Sequence, residues 1–324
     1  MISLERILLC RPRGFCAGVV RAVDTVSWAL RIYRSPIYVR KEIVHNQQVL
    51  EKFRNQGVIF VDEVDEVPAG ATLVFSAHGV SPETRRTAAA RQLRVIDATC
   101  PLVTKVHREA VAFVNTGYSV ILIGHAGHDE VIGIAGEVDG RLHLVTCVDD
   151  ARTVEVQNPG KVAFLCQTTL SVLDTEDILA VLRARFPNAK RPAKEDICYA
   201  TQNRQMAVLE VVKSVGLFLV LGTENSSNAN RLREVAERSG VRAYLIENQD
   251  AFQMAWLEGV KSLGISAGAS TPEELVEGLL AKLRGLTGAI VQEFESVEET
   301  VSFLLPAELL TATQAWPRSW RQTS

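Results

Sequence analysis

No CxxC pair occurs among the six cysteines of this chain, which stand at 10, 16, 100, 147, 166 and 198. That absence removes the zinc-ribbon, zinc-finger and thioredoxin readings, all of which rest on closely spaced pairs. Six cysteines in 324 residues are also too few for a disulfide framework, which leaves metal ligation or burial as small apolar side chains. GxxxxGK[ST] and GxGxxG runs are missing too, so nucleotide binding through the usual phosphate loops has no support. The net charge of -3 lacks the basic excess of a nucleic-acid surface, and any anion site must be local. Apolar stretches such as 120–123 and 216–221 fall far short of the roughly 20 residues of a membrane helix. The opening residues carry an early acidic residue and arginines within their apolar stretch, which spoils them as a secretory signal. A cytoplasmic protein without membrane or nucleic-acid partners is the expectation.

With 47% hydrophobic and 23% charged residues, the chain has material for two or three ordinary globular cores. Short β-branched runs at 37–39, 72–75, 120–123, 162–165, 217–221 and 262–265 alternate with amphipathic stretches at 16–33, 104–115, 173–186 and 203–215, the pattern of an α/β protein. The chain also repeats. Three times a cysteine opens a helix-like segment, a strand then runs into a polar cluster, and a second strand runs into a small polar loop. The loops are SAHGVS ending at Ser81, QTTLS ending at Ser171 and SAGAS ending at Ser270. The spacings from cysteine to first cluster are 29, 28 and 28 residues, from Cys16 to His45, Cys100 to His128 and Cys198 to Ser226. Three similar α/β units with small sheets around a pseudo-threefold axis and a central site are expected. Their bounds are 1–98 with Cys16, His45 and His78; 99–196 with Cys100, His128, Glu130 and Thr168; and 197–288 with Cys198, Ser226, Asn228 and Ser270. Residues 289–324 form a C-terminal segment, and its last stretch, 311–324 with Trp316, Pro317 and Trp320, reads as a loosely packed tail.

Three thiolates from three units suit either zinc with an open fourth position or a 4Fe-4S cluster with one iron lacking a protein ligand, and spacing alone does not choose. Cys10, Cys147 and Cys166 occupy no equivalent positions and read as structural. The small, donor-rich residues expected at the strand ends suit a phosphate or diphosphate. A polyanion there would raise the basicity of His45, His78 and His128 and turn them into a charged clamp. His107, His125 and His143 read as ordinary hydrogen-bonded residues. Glu130, two residues beyond His128, is the one carboxylate placed among these clusters; in a partly dehydrated pocket it would act as general acid, with the Thr168 hydroxyl as relay. The competing reading of Glu130 is an exposed loop carboxylate.

PRGFCAGVVRA, IVHN, FSAHGVS, DATCPLVTKVH, IGHAGHDEV, QTTLS, DICYATQNRQ, NSSNANRL and SAGAS together resemble the 4-hydroxy-3-methylbut-2-enyl diphosphate reductase family, from about residue 7 to 310. The resemblance implies one 4Fe-4S cluster per chain on Cys16, Cys100 and Cys198. It also implies two-electron reductive dehydroxylation of an allylic diphosphate to isopentenyl and dimethylallyl diphosphates, the last step of the methylerythritol phosphate route. It places the diphosphate at His45, His78, His128, Ser226, Ser227, Asn228 and Ser270, with Glu130 and Thr168 near the departing hydroxyl. No flavin or nicotinamide site is evident, so electrons would come from an external ferredoxin or flavodoxin. Asp129 stands where the family has proline, Ile132 where many members have glutamate, and the residues after 310 are idiosyncratic. The rival readings are a zinc hydrolase or iron-sulfur hydro-lyase, which would consume no electrons, and an iron-sulfur sensor, which would not turn over.

Overall fold

The computed structural model describes residues 4–192 and 195–314. β1 (Arg6–Arg11) leads to Cys16, and α1 (Ala17–Tyr33) follows directly. Next come β2 (Ile37–Arg40), α2 (Gln47–Arg54), β3 (Val58–Val61), β4 (Thr72–Phe75), α3 (Pro82–Ala90) and β5 (Arg94–Asp97). The middle of the chain forms α4 (Pro101–Asn115), β6 (Ser119–Ile123), α5 (Asp129–Glu137), β7 (Leu142–Val145), α6 (Val148–Thr153), β8 (Val162–Cys166) and α7 (Val172–Arg185). Beyond Cys198 run α8 (Tyr199–Val211), β9 (Leu217–Leu221), α9 (Ser227–Arg238), β10 (Arg242–Ile246), β11 (Ser262–Ala267), α10 (Glu273–Thr287), β12 (Ile290–Glu295) and α11 (Ala307–Gln314).

Every named strand pairing is parallel, and the three sheets share one order. Their cores run β3-β2-β4, β7-β6-β8 and β10-β9-β11. In each, the first strand of the repeat is central, flanked by the second and third, as right-handed crossovers through a covering helix produce. The repeat extends one strand further. β5 pairs with β4 before the chain enters Cys100, and β1 pairs with β11 before it enters Cys16. Lys190 makes a parallel bridge to Ala163 of β8 ahead of Cys198. The strand leading into each cysteine thus belongs to the sheet of the preceding repeat, and for the first cysteine that is the third sheet. The opening strand of the expected segment 1–98 lies outside the β2-to-β5 sheet for this reason, and β12, from the expected C-terminal segment, pairs along its other edge.

Two compact units result. One holds the N-terminal residues through Cys16 with Thr168–Asp177 and Ile197–Val301; the other holds Ala17–Gln167, Ile178–Asp196 and the residues from Ser302 on. In the first, Ile7, Leu9, Leu219 and Ile265 pack against Leu275, Leu279 and Leu283 of α10, while Phe218 and Val220 face Val208 and Leu232 of α8 and α9. Covering helices on both faces explain why β9 reads LFLVL, buried at every residue, rather than alternating. In the second, Val120 and Leu122 of β6 pack against Val106 and Ala110 of α4 and Ile134 of α5. Helix starts are locally encoded: Asn46, Ser81 and Ser226 accept backbone N–H groups of α2, α3 and α9, and Pro82 and Pro101 occupy first helical positions. Thr311 to Gln314 complete α11; Trp316, Pro317 and Trp320 lie outside the described residues.

Gly264 sits in mid-strand on β11, where an added Cβ would meet the Phe218 ring at 2.5 and 2.6 Å. Gly264→Ala should therefore lower unfolding stability by about 1–3 kcal/mol through overpacking, read as a shifted urea midpoint. An unchanged midpoint would show that the Phe218 ring moves aside at little cost.

Candidate active site

Each of the three repeat cysteines lies at the start of a helix: Cys16 directly precedes α1, Cys100 caps α4, and Cys198 caps α8. Each is anchored the same way. The Cys16 amide donates to Ala269 O at 3.2 Å, that of Cys100 to Ala77 O at 3.0 Å, and that of Cys198 to Thr168 O at 3.0 Å. These acceptors lie in the polar loops SAGAS, SAHGVS and QTTLS that end the preceding repeat. All three sulfurs are half-buried. Cys10 and Cys166 lie inside strands and are buried; burial pushes the Cys10 thiol up to about 12 and raises that of Cys166 further. Among the described residues, no group of three or more His, Cys, Asp or Glu is gathered as the ligands of a single metal ion would be. Thiolates of a four-iron cluster bind separate irons, so they do not meet at one point.

In the unit containing Cys100, three strand ends bring His45, His78 and His128 together. The rings of His45 and His78 stack with centroids 4.3 Å apart, and His128 stands edge-on to both at 6.2 and 5.8 Å. Sequence reasoning proposed these three from separate motifs. Their tautomers are set by neighbours: Glu42 Oε2 lies 2.8 Å from His45 Nδ1, and His128 Nδ1 accepts the Glu130 amide at 3.2 Å. With Nδ1 an acceptor, His128 keeps its proton on Nε2. Burial, then the charges of His45 and His128, holds His78 well below the usual histidine value; burial, then His45 and His125, lowers His128 to about 4. His78 and His128 are therefore neutral at pH 7 rather than members of a charged clamp. Glu130 is only 1% exposed, in the first turn of α5, which disposes of the exposed-loop reading.

The other unit gathers Thr168, Ser226, Ser227, Asn228 and Ser270 with Cys16 and Cys198. Ser226 and Ser270 hydroxyl oxygens lie 3.4 Å apart, at the ends of β9 and β11. Ser227 Oγ donates to Thr169 O at 3.0 Å. Asn228 accepts the Ala269 amide on Oδ1 at 2.8 Å and donates from Nδ2 to Thr201 Oγ1 at 3.2 Å. Helix α9 starts at Ser227, so its N-terminal amides and dipole join these hydroxyls in an environment suited to an anion.

Several residues that hold this arrangement escaped sequence reasoning. Arg204, with a side chain 1% exposed, donates to Gly14 O at 2.9 Å, to Ala200 O at 2.9 Å and to Glu299 at 3.0 Å. It ties the turn before Cys16 to the first turn of α8, and Glu299 compensates its buried charge. Gly14 in that turn has φ of +65°, and a Cβ there would approach Thr271 O to 3.1 Å. QNRQ and a distant glutamate carry no sequence signal of such a pairing. His107 hydrogen-bonds Glu137 at 3.1 Å and lines a cavity of about 400 Å³ with Arg85, Thr99 and Arg108; none of the proposed site residues lines it.

Comparison with known proteins identifies the family and the fold. The family model described as "LytB protein" matches residues 7–284. The chain is 52% identical to 4-hydroxy-3-methylbut-2-enyl diphosphate reductase of Bordetella pertussis, over 94% of this chain and 93% of that protein. The protein of the same name from Magnetococcus marinus is 54% identical, over 94% and 99% of the two chains. Among solved structures, the E-1-hydroxy-2-methyl-but-2-enyl-4-diphosphate reductase of Plasmodium falciparum superposes with a TM-score of 0.94 at 35% identity, covering 96% of this chain and 98% of that one.

The histidine cluster makes the ligand-free protein acid-sensitive. An unfolded histidine titrates near 6.5 and folded His128 near 4, so between those values the unfolded chain binds a proton that the folded one does not. Stability then falls as pH drops through that window, by on the order of 3 kcal/mol from His128 alone once the pH is below both values. His128→Asn keeps an oxygen to cap α5 and should flatten this part of the slope in urea midpoints taken from pH 7 to pH 4.5. Parallel slopes for the two proteins would mean that His128 is charged in the folded state.

Proposed function

This chain belongs to the LytB protein family, and from that premise we propose that it reduces (E)-4-hydroxy-3-methylbut-2-enyl diphosphate to isopentenyl and dimethylallyl diphosphates. The balance is one allylic alcohol, two electrons and two protons giving one C5 diphosphate and one water. The observation that carries the reading is the shared anchoring of Cys16, Cys100 and Cys198 at helix starts, each by its own amide on the polar loop of the preceding repeat. Three sulfurs held alike in a half-buried setting fit a 4Fe-4S cluster with one iron lacking a protein ligand. When bound, that cluster supplies electrons and a Lewis-acidic iron for the hydroxyl. Its electrons would come one at a time from an external ferredoxin or flavodoxin.

The chain's own residues bind and protonate. His45, His78 and His128 offer ring N–H groups to the diphosphate, and Ser226, Ser227, Asn228 and Ser270 add hydroxyl, amide and helix N-terminal donors. Burial of Ser226, Asn228 and Ser270 strengthens the contacts they offer. Glu130, nearly inaccessible to solvent, holds the proton for the departing oxygen, with the Thr168 hydroxyl as relay. An incoming polyanion reverses the balance that keeps His78 and His128 neutral, so binding takes up protons.

The test uses anaerobically purified protein. About four irons per chain, with loss of the allylic alcohol and appearance of both C5 diphosphates under a strong one-electron reductant, is the expected result. Zinc without iron would favour the hydrolase; a full cluster that consumes no electrons would favour the hydro-lyase or the sensor. Glu130→Gln should keep the iron content and the affinity for inorganic diphosphate while slowing turnover about 10²- to 10⁴-fold. Turnover at the unsubstituted rate would remove Glu130 from proton delivery.

A further inference from the structure

The first turn of α8 contains a feature that breaks the repeat. Counting Cys198 as the capping residue, the third helical position is Thr201; the equivalent positions after Cys16 and Cys100 are Val19 and Val103. All three side chains are buried: Val19 is 9%, Val103 5% and Thr201 0% exposed. Packing at this position is thus met by valine in two repeats, and the hydroxyl of the third calls for a separate explanation.

Side chains at the third helical position point back toward the capping residue, the geometry that capping boxes use. Here Thr201 Oγ1 lies 3.2 Å from Cys198 Sγ. The direction of that hydrogen bond follows from Asn228. Its Oδ1 is committed to the Ala269 amide at 2.8 Å, so the other end of the side chain is the NH₂, which donates to Thr201 Oγ1 at 3.2 Å. Thr201 is then an acceptor toward Asn228. Its single proton is left to donate, and the neighbouring Ile197 carbonyl already receives Gln202 Nε2 at 2.7 Å. A ligating Cys198 is a thiolate with no proton to give, so in that state the Thr201 hydroxyl is the donor toward Sγ.

We propose that Thr201 is a positioning residue for Cys198, its hydroxyl oriented by Asn228 so that its proton holds and polarises the metal-binding sulfur. The proposal rests on the reading of Cys198 as a cluster ligand. A hydrogen bond to a ligating thiolate withdraws electron density from it and favours the reduced cluster, so its loss lowers the reduction potential. Asn228 is also assigned to the diphosphate, so in the third repeat a substrate-binding side chain and a ligand sulfur share a hydrogen-bonded path. That path runs Ala269, Asn228, Thr201, Cys198, and Ala269 also receives the amide of Cys16.

The experiment compares the unsubstituted holoprotein with Thr201→Val and Thr201→Ser after anaerobic reconstitution. Iron and sulfide are counted, melting temperatures taken, and the cluster midpoint potential followed by electron paramagnetic resonance. Valine is the residue the other two repeats carry here, so folding should survive. At full iron content, a lower midpoint for Thr201→Val with an unchanged midpoint for Thr201→Ser is the expected result. Iron lost from the valine protein alone, at an unchanged melting temperature, supports the same role through position rather than potential. The unsubstituted midpoint in a fully loaded valine protein overturns the proposal, as does equal loss of iron from both variants. Unsubstituted protein that takes up no iron overturns the cluster reading itself, and with it the role of Thr201.

Discussion

A single backbone hydrogen bond, made three times, is the constraint on which the arrangement depends. The amide of each repeat cysteine donates to a carbonyl in the loop that ends the preceding repeat. An amide in that position cannot drift without leaving a buried donor or acceptor unmet, which costs about 1–3 kcal/mol. The strand ahead of each cysteine supports the same connection: β5 beside β4, β1 beside β11, and Lys190 bridging to β8. Repeats joined in this way have no natural first member. The chain must open with a strand that completes the last sheet, so β1 stands beside β11 from the far end of the sequence. Such pairing is slow to find because the loop it closes is long.

The polar residues follow from the same architecture. Parallel strands deliver their carboxyl ends to one edge of a sheet, and a helix begins soon after each, so every repeat offers a loop with hydroxyl, amide or imidazole donors near a positive helix end. What the repeats place there differs. One unit concentrates imidazoles, His45, His78 and His128, whose mutual repulsion and burial hold His78 and His128 neutral. The other concentrates uncharged hydroxyl and amide groups, Ser226, Ser227, Asn228 and Ser270. Keeping His78 and His128 neutral avoids the cost of two more buried cations.

The sequence made the α/β class and the repeat legible because both are written in local pattern. Strands such as 217–221 and 162–165 are continuous apolar runs, and helices 16–33 and 104–115 are long and amphipathic; the structure has them at Leu217–Leu221, Val162–Cys166, Ala17–Tyr33 and Pro101–Asn115. Flanking strands of four or five residues, β3, β5, β7 and β10, gave no clear signal, because so short a run on a half-covered face is neither continuous nor distinctly alternating. The placement of β1 in the third sheet was also hidden, since it depends on cyclic pairing rather than on any property of RILLCR. Histidines at 45, 78 and 128 stood out individually as motifs; that their rings lie within 4.3 to 6.2 Å of one another is tertiary information. Arg204 illustrates the opposite failure. Nothing in an amphipathic helix distinguishes a solvated arginine from one that is 1% exposed and bound to Gly14 and Glu299.

Cysteine placement shows most plainly why position outranks residue type. Cys10 and Cys166 lie within strands, where the backbone is paired and the side chain enters the core; desolvation raises their pKa to about 12 for Cys10 and higher for Cys166. A thiol in that state neither ligates a metal nor reacts. Cys16 and Cys100 lie a few residues beyond β1 and β5, Cys198 beyond the Lys190 bridge, and in each case the chain turns directly into a helix. Local pattern does not fully separate the cysteines, because Cys147 also caps a helix, α6, just after β7; the repeat spacing of 29, 28 and 28 residues is what sets Cys16, Cys100 and Cys198 apart from it. The residue types after the ligand-position cysteines, Ala17, Pro101 and Tyr199, share no chemistry. Their common feature is that the chain becomes helical there while the cysteine amide is held by the polar loop of the preceding repeat.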